Sequence, residues 1–140
     1  MGRVDNKIAL VTGAASGIGL QSSLRLVEEG ARVMMTDINE NVGLKAAENL
    51  GEKVIFMKQD ITLEEDWKSV LYETVKQFGS LEILVNSAGM IWIADVEQTT
   101  LEDWRKVHAV NLDGTFLGCK HGVRVMKDFG AGSIINLSSV

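Results

Sequence analysis

A glycine-rich turn near the start of the chain has the residue types and spacing of a phosphate-binding site. Gly13, Gly17 and Gly19 follow the apolar run at residues 8–11 and precede a pattern typical of a helix. Glycines at such a turn let the backbone bend sharply and approach a pyrophosphate, while free N–H groups at the helix start face the anion. The spacing is one residue longer than the common dinucleotide fingerprint Gly-x-Gly-x-x-Gly. The turn indicates nucleotide binding, but by itself it also fits an ordinary strand-to-helix connection.

Asp37 follows this turn at about the offset, roughly 20 residues, at which an acid meets the adenosine ribose. Its carboxylate can accept hydrogen bonds from both ribose hydroxyls, and it repels a 2′-phosphate. Neither Ala15 nor Ile38 offers the cation that such a phosphate needs. We therefore predict NAD rather than NADP as the cofactor. The alternative is that Asp37 only caps the next helix near Asn39.

Alternating strands and helices are predicted to hold these residues in place. Continuous apolar runs predict buried strands, and helical periodicity that ends at glycines predicts helices. The predicted strands are residues 7–11, 31–36, 53–58, 81–85 and 132–137, and the predicted helices are residues 17–29, 39–50, 62–78 and, with a break, 100–129. This alternation predicts right-handed β-α-β crossovers and a doubly wound parallel sheet covered on both faces, which is a three-layer α/β fold of Rossmann type.

Two details of the helices are also predicted from side-chain type. Thr62 with Glu65 has the pattern of a capping box at the start of the third helix, and Thr100 has that of a cap for the fourth. In the second helix, the residues predicted to face the core are Val42, Leu44, Ala46, Ala47 and Leu50.

Polar residues follow every predicted strand. The ligands of parallel α/β sheets bind at the carboxyl ends of the strands, so these residues are predicted to meet at one edge. They are the glycine turn, Asp37, Asp60, residues 86–89 and Ser138-Ser139. For Asp60 the alternative is a purely capping role, because Asp-Ile-Thr before a helix is common capping material.

Composition narrows the class of protein. The chain has 140 residues, 46% hydrophobic and 24% charged, and we predict one globular domain over residues 1–140. A net charge of −5 without long blocks of one sign predicts no nucleic-acid partner and no membrane-surface partner. There is no apolar run of membrane-spanning length and no secretion signal, and Cys119 is the only cysteine. These features predict a cytoplasmic protein without an intrachain disulfide.

Five motifs in order resemble those of the short-chain dehydrogenase/reductases, and the resemblance spans the whole chain. Residues 12–19 are similar to the cofactor motif Thr-Gly-x-x-x-Gly-x-Gly, and Asp60-Ile61 to the adenine-contacting pair. Residues 86–89, Asn-Ser-Ala-Gly, resemble Asn-Asn-Ala-Gly with one departure, Ser87. Asn111 resembles the helix asparagine that orders a proton-relay water, and residues 135–139 resemble the strand that carries the catalytic serine.

The resemblance implies an NAD-dependent oxidoreductase that interconverts a secondary alcohol and a ketone, with a small-molecule substrate. It implies catalytic roles for Ser139 and Asn111, and a serine hydroxyl can steady the developing oxyanion. It implies a cofactor site formed by Gly13, Ser16, Gly17, Ile18, Gly19, Asp37, Ile38, Asp60, Ile61, Asn86, Ala88 and Gly89. It also implies a homo-oligomer, a dimer or tetramer, in which the helix after Asn111 packs between subunits with Phe116, Leu117, Val123 and Met126, although burial within one subunit is an open alternative.

One motif of the family does not occur at its family position. The proton-transferring Tyr-x-x-x-Lys would lie beyond Val140, and the matching spacing at Tyr72 and Lys76 precedes the fourth strand, away from Ser139. We therefore expect the amino-terminal cofactor portion of such an enzyme, without its carboxyl-terminal strands. Two alternatives remain: a non-catalytic NAD-binding module or truncated pseudoenzyme, and a chain that barely folds because its fifth strand leaves an unpaired edge.

Other chemistry has little support in the sequence. His108 and His121 stand alone, without partners at metal-ligand spacing, so no metal site is predicted. There is no Gly-x-x-x-x-Gly-Lys-Ser/Thr motif of a nucleoside triphosphatase. Trp92 and Ile93 fit contact with an apolar substrate and core packing equally well.

Overall fold

The computed structural model of the chain describes residues 2–139; Met1 and Val140, which the predicted domain bounds include, lie outside the described residues. Five parallel strands form one sheet in the order β3-β2-β1-β4-β5. The elements along the chain are β1 (Ile8–Val11), α1 (Gly17–Glu28), β2 (Arg32–Asp37), α2 (Glu40–Leu50), β3 (Val54–Lys58), α3 (Glu64–Phe78), β4 (Ile83–Asn86), α4 (Leu101–His108), a π-helical turn (Ala109–Asp113), α5 (Gly114–Asp128) and β5 (Ser133–Asn136). The predicted Rossmann-like α/β fold is confirmed.

The sheet has an apolar core on each face, because successive side chains of a strand point to opposite sides. Val11, Val33 and Val85 belong to the core beneath α1 and α2. On the other face, Leu10 and Leu84 pack with residues of α3 and α5. Strands buried on both faces explain the continuous apolar runs of the sequence.

The predicted helix ends are confirmed where a glycine closes the helix. Gly30, Gly51 and Gly79 have φ values of 98°, 90° and 96°. L residues rarely adopt this backbone region, so a glycine ends a helix there at little conformational cost.

Two predictions for the helices are wrong. Thr62 is not a cap: α3 begins one residue later, with Leu63 at its N-cap, and the Thr62 hydroxyl donates to Asp60 Oδ1 at 2.6 Å. Val42 and Leu44 are 46% and 47% exposed. They face outward because α2 presents Gly43 and the alanines of its second turn to the sheet, and a Cβ at Gly43 would collide with the Phe56 ring.

The predicted break in the fourth helix is a π-helical turn, Ala109–Asp113, between α4 and α5. Thr100 caps α4 as predicted, since its Oγ1 accepts a hydrogen bond from Asp103 N. Single π-turns within helices are frequent at functional sites. This one has Asn111 at its centre.

Glu64 of α3 forms hydrogen bonds to two residues of α5, outside the core that these two helices form with the sheet. Its Oε1 lies 2.7 Å from both Lys120 Nζ and His121 Nε2. The hydrogen bonds from Lys120 and then His121 lower the pKa of Glu64 from 4.5 to about 2. His121 is 5% exposed, so it is a packing residue with a carboxylate partner that the sequence did not indicate.

β5 forms one edge of the sheet. It pairs with β4, Ile83 opposite Ser133 through Asn86 opposite Asn136. Ile135 and Leu137 are 44% and 37% exposed. In α5, Phe116 and Val123 are 59% and 43% exposed. Of the four residues of α5 singled out for packing between subunits, Phe116 and Val123 therefore face outward, whereas Leu117 and Met126 pack in the core shared with α3.

Candidate functional site

The glycine turn lies against the loop that follows β4. Gly13 has a φ of 62°, and a Cβ added to it would lie 2.7 Å from Ala88 Cα. Gly17 has a φ of 53°, and apart from its chain neighbours and the backbone of its own helix no described atom lies within 4 Å of the position a Cβ would take. Gly13 thus permits a close approach of two backbones, and Gly17 opens free space beside the turn.

The first turn of α1 leaves its N–H groups available to a ligand. Ser16 is the N-cap residue, in extended conformation, and its side chain makes no capping hydrogen bond within the described part of the chain. No acidic side chain lies in the first turn, Gly17 to Leu20, so nothing there opposes an anion. Exposed N–H groups, a positive helix end and open space at Gly17 fit the pyrophosphate of a dinucleotide. Ile18 is 65% exposed, and Gly19 is buried.

Asp37 ends β2 with its carboxylate fixed beside the glycine turn. Oδ2 accepts a hydrogen bond from Ala15 N at 3.1 Å, and Oδ1 accepts one from Asn39 N at 2.9 Å. The helix-capping role belongs to Asn39, whose Oδ1 accepts from Val42 N. Asp37 is therefore held in place by the glycine turn, beside which it is predicted to bind the cofactor. Ile38, the next residue, is 63% exposed.

Lys58 is a cation near Asp37 that the sequence reasoning missed. The two residues lie opposite one another in the register of β2 and β3. Neighbours across a sheet leave no local signal in the sequence, because β2 and β3 are separated by a helix. Lys58 is exposed.

Asp60 and Ile61 follow β3 in a tight turn. Asp60 Oδ1 accepts hydrogen bonds from the N–H and the hydroxyl of Thr62, and its own N–H donates to Asp66 Oδ2. Ile61 is 8% exposed, and its carbonyl accepts from Trp67 Nε1. The carboxylate thus stabilises the local turn and does not cap α3, whose N-cap is Leu63, and the pair lies at the carboxyl edge of the sheet.

Thr12 holds the loop after β4 in place. Its buried Oγ1 accepts hydrogen bonds from Ser87 N at 3.2 Å and Ala88 N at 3.1 Å. These two hydrogen bonds link Thr12 to residues that lie 75 and 76 positions further along the sequence. Thr12 is a site residue that the sequence reasoning did not select, although its position at the end of the first strand was a usable signal. Asn86 lies at the end of β4, and its Nδ2 donates to Asn136 Oδ1 at 2.8 Å.

Asn111 fastens the next part of that loop. Its Oδ1 accepts from Met90 N and its Nδ2 donates to Met90 O, both at 2.8 Å. Gly89, where a Cβ would lie 3.2 Å from Asn111 Oδ1, gives the side chain its room. The side-chain amide therefore pairs with the loop backbone.

Ser139 lies three residues beyond the end of β5, at the same carboxyl edge as the other predicted site residues, and is exposed. The Leu137 N–H donates to Asn86 O at 3.2 Å, which continues the β4–β5 ladder toward Ser139. The edge thus brings together the glycine turn, Asp37, the loop after β4 and the segment after β5. By contrast, Tyr72 is an exposed residue of α3, and Trp92 and Ile93 are exposed in the loop before α4.

Residues 7–140 match the family model of the short chain dehydrogenases. The chain belongs to this family. Members of the short-chain dehydrogenase family are oxidoreductases that bind nicotinamide cofactors, and the geometry of the glycine turn fits such a cofactor. Within residues 2–139, no helix is both long and apolar enough to cross a membrane.

Curated relatives align with the whole of this short-chain dehydrogenase chain. A 3-beta-hydroxysteroid dehydrogenase of Comamonas testosteroni is 43% identical over 138 residues, which are 99% of this chain and 54% of the relative. An NADP-dependent (R)-specific alcohol dehydrogenase of Lentilactobacillus kefiri is 43% identical over 141 residues, 99% of this chain and 56% of the relative. A 3-alpha-(or 20-beta)-hydroxysteroid dehydrogenase of Mycobacterium tuberculosis is 39% identical over 139 residues, with 99% and 54% covered. The chain spans about half the length of these relatives.

Proposed function

We propose that this chain binds NAD and serves the interconversion of a secondary alcohol and a ketone. The observation that carries the proposal is the Asp37 carboxylate, held beside the glycine turn by Ala15 N and Asn39 N. An acid fixed at this place can accept from both hydroxyls of the adenosine ribose and repels a 2′-phosphate. NAD is preferred to NADP for this reason, although one relative is NADP-dependent and Lys58 lies opposite Asp37 in the sheet.

The remaining site residues are given the roles that their resemblance to the family's motifs implies. The uncapped first turn of α1, from Ser16 through Gly19, faces the pyrophosphate, and Asp60 with Ile61 lies beside the adenine. Asn86, Ala88 and Gly89 form the floor at the nicotinamide end, held by Thr12 and Asn111.

When bound, NAD accepts a hydride from the alcohol carbon, or the reduced form donates one to the ketone. Ser139 hydrogen-bonds the substrate oxygen and stabilises the charge that develops on it. Asn111 is assigned to the proton path by its resemblance to the family's helix asparagine, and its side-chain amide holds the backbone of Met90 in the loop after β4. In the oligomer, a dimer or tetramer, the exposed Phe116 and Val123 of α5 lie between subunits. The protein works in the cytoplasm on a small-molecule substrate.

A binding module without turnover is the second candidate, because Tyr72, the chain's one tyrosine, lies on α3. The two candidates separate in one experiment. The 140-residue chain is titrated with NAD by calorimetry, and a longer version that covers the family's Tyr-x-x-x-Lys position is then given NAD with a panel of secondary alcohols and followed at the absorbance band of reduced nicotinamide. Binding with alcohol-dependent reduction that Ser139→Ala abolishes supports the enzyme. Binding without reduction supports the module, and absence of NAD binding contradicts both.

A further inference from the structure

The strands end in polar side chains on the face of the sheet that α3 and α5 cover. Leu10, Met34 and Leu84 belong to the core on that face, so the polar residue two positions further along each strand points the same way. The same spacing holds for the residues that follow Met57 and Ile134, which also pack on this face. We call these five residues the polar layer; in sheet order they are Gln59, Thr36, Thr12, Asn86 and Asn136.

The first two residues of the polar layer form a buried pair next to Asp37. Thr36 Oγ1 donates to Gln59 Oε1 at 2.7 Å, and the two residues are 0% and 2% exposed. The Gln59 N–H also donates to Asp37 O at 3.0 Å, and Thr36 O accepts from Ala14 N at 2.9 Å. The pair is therefore bonded to the end of β2 at the two residues that contact the glycine turn.

Maximal fold stability does not explain this pair. Among the side chains that the structure describes, two buried polar atoms have no hydrogen-bond partner, and both belong to the polar layer: Gln59 Nε2 and Asn86 Oδ1. A buried amide N–H without an acceptor is unfavourable, whereas a methionine of similar size would carry no such group. Replacing both members of a buried hydrogen-bonded pair by apolar groups of the same shape is often neutral or stabilising.

We propose that the Thr36–Gln59 pair is a positioning element for Asp37 that strengthens the preference for NAD over NADP. The pair adds a side-chain hydrogen bond between the carboxyl ends of β2 and β3, where strands otherwise fray. The end of β2 then keeps the Asp37 carboxylate in contact with Ala15 N. This inference rests on the proposed function, because selectivity has meaning only if the site binds the cofactor. It adds Thr36 and Gln59 to the residues that control specificity, without direct contact to the ligand.

The test compares Thr36→Val, which removes the hydroxyl at nearly constant volume, with Thr36→Ser, which keeps it. NAD and NADP are titrated by calorimetry into the 140-residue chain. The NADP/NAD ratio of dissociation constants is expected to fall about three- to tenfold in Thr36→Val, the equivalent of one neutral hydrogen bond. Thr36→Ser is expected to retain the ratio. An unchanged ratio in Thr36→Val overturns the inference.

Amide exchange measured by NMR tests the positioning of Asp37 independently of cofactor binding. The Ala15 N–H, bonded to Asp37 Oδ2, is expected to exchange about three- to tenfold faster in Thr36→Val than in the unsubstituted chain or in Thr36→Ser. If the unsubstituted chain does not bind NAD, the proposed function is contradicted, and the Ala15 exchange rate alone then decides whether the pair positions Asp37. An unchanged rate overturns that positioning.

A double variant excludes a purely structural role. Thr36→Val with Gln59→Met removes both polar partners, and its melting temperature is expected to equal or exceed that of the unsubstituted chain. Its cofactor ratio is nonetheless expected to be as low as that of Thr36→Val alone. If the double variant has both the melting temperature and the NADP/NAD ratio of the unsubstituted chain, the pair acts only through stability, and the inference is wrong.

Discussion

Alanine at Gly13 is expected to destabilise the fold more than alanine at Gly17. Both glycines have φ in the left-handed region, 62° and 53°, where an L side chain costs about 1–2 kcal/mol. Their surroundings differ, because a Cβ at Gly13 would lie 2.7 Å from Ala88 Cα and 2.8 Å from Ala88 N. A Cβ at Gly17 would have no described atom within 4 Å except those of its chain neighbours and its own helix backbone.

The extra cost at Gly13 follows from what holds Ala88. Its N–H donates to the buried Thr12 hydroxyl at 3.1 Å, so its backbone cannot withdraw without weakening that hydrogen bond. Overpacking of this kind typically costs about 1–3 kcal/mol. The free energy of unfolding is therefore expected to fall by about 1–3 kcal/mol more in Gly13→Ala than in Gly17→Ala.

Urea unfolding of the two variants and the unsubstituted chain gives this difference by linear extrapolation, with equal slopes as a check that the unfolded states are comparable. In thermal unfolding, each kcal/mol corresponds to about 3 °C for a chain of this size. Equal losses in the two variants would refute the close approach of the glycine turn to the loop after β4. A cooperative transition of the unsubstituted chain would also exclude the alternative that the chain barely folds.

Three further changes test separate contacts. Asp37→Asn is expected to raise NADP affinity relative to NAD affinity about tenfold or more, because charge-assisted hydrogen bonds to the ribose are lost and the repulsion of the 2′-phosphate ends. Calorimetry with both cofactors measures the two affinities. An unchanged NADP/NAD ratio of dissociation constants would contradict the assignment of Asp37 to the ribose. The lowered pKa of Glu64, about 2, means that the stability it contributes is present above pH 4.5 and is lost as the pH falls toward 2. Glu64→Gln should therefore flatten the loss of melting temperature over that pH interval, and a dependence as steep as that of the unsubstituted chain would contradict the link to α5. Asn111→Ala removes both hydrogen bonds to the loop backbone and is expected to speed proteolysis in residues 90–99 severalfold. Thr115→Ala in α5, which removes a hydrogen bond to Asn111 O but leaves both bonds to the loop, is the control.

The architecture was predictable because its signals are local. A continuous apolar run marks a strand, and a glycine such as Gly51 or Gly79 marks a helix end by a backbone conformation that other residues avoid. In α2, Ala46 and Ala47 are buried as predicted, but Val42 and Leu44 were mispredicted because periodicity weighs residues by hydrophobicity alone. Its small residues, Gly43 among them, are what allow close contact with Phe56, and this pushes Val42 outward.

The placement of most predicted site residues at strand ends could be predicted from the sequence, but the contacts that hold them could not. Thr12 reaches the loop after β4, and Asn111 reaches Met90, over 75 and 21 residues respectively. Contacts at such separations depend on strand order and helix geometry, and a single sequence carries no local pattern for either. The same reason hid Lys58 opposite Asp37.

The most direct test of the central claim is calorimetric titration of the 140-residue chain with NAD and, separately, NADP at fixed salt. The account predicts binding of one equivalent of NAD, and weaker binding of NADP because its 2′-phosphate meets the Asp37 carboxylate fixed by Ala15 N. Tighter binding of NADP would contradict the role of Asp37, and absence of binding by either cofactor would contradict a dinucleotide site at this edge of the sheet.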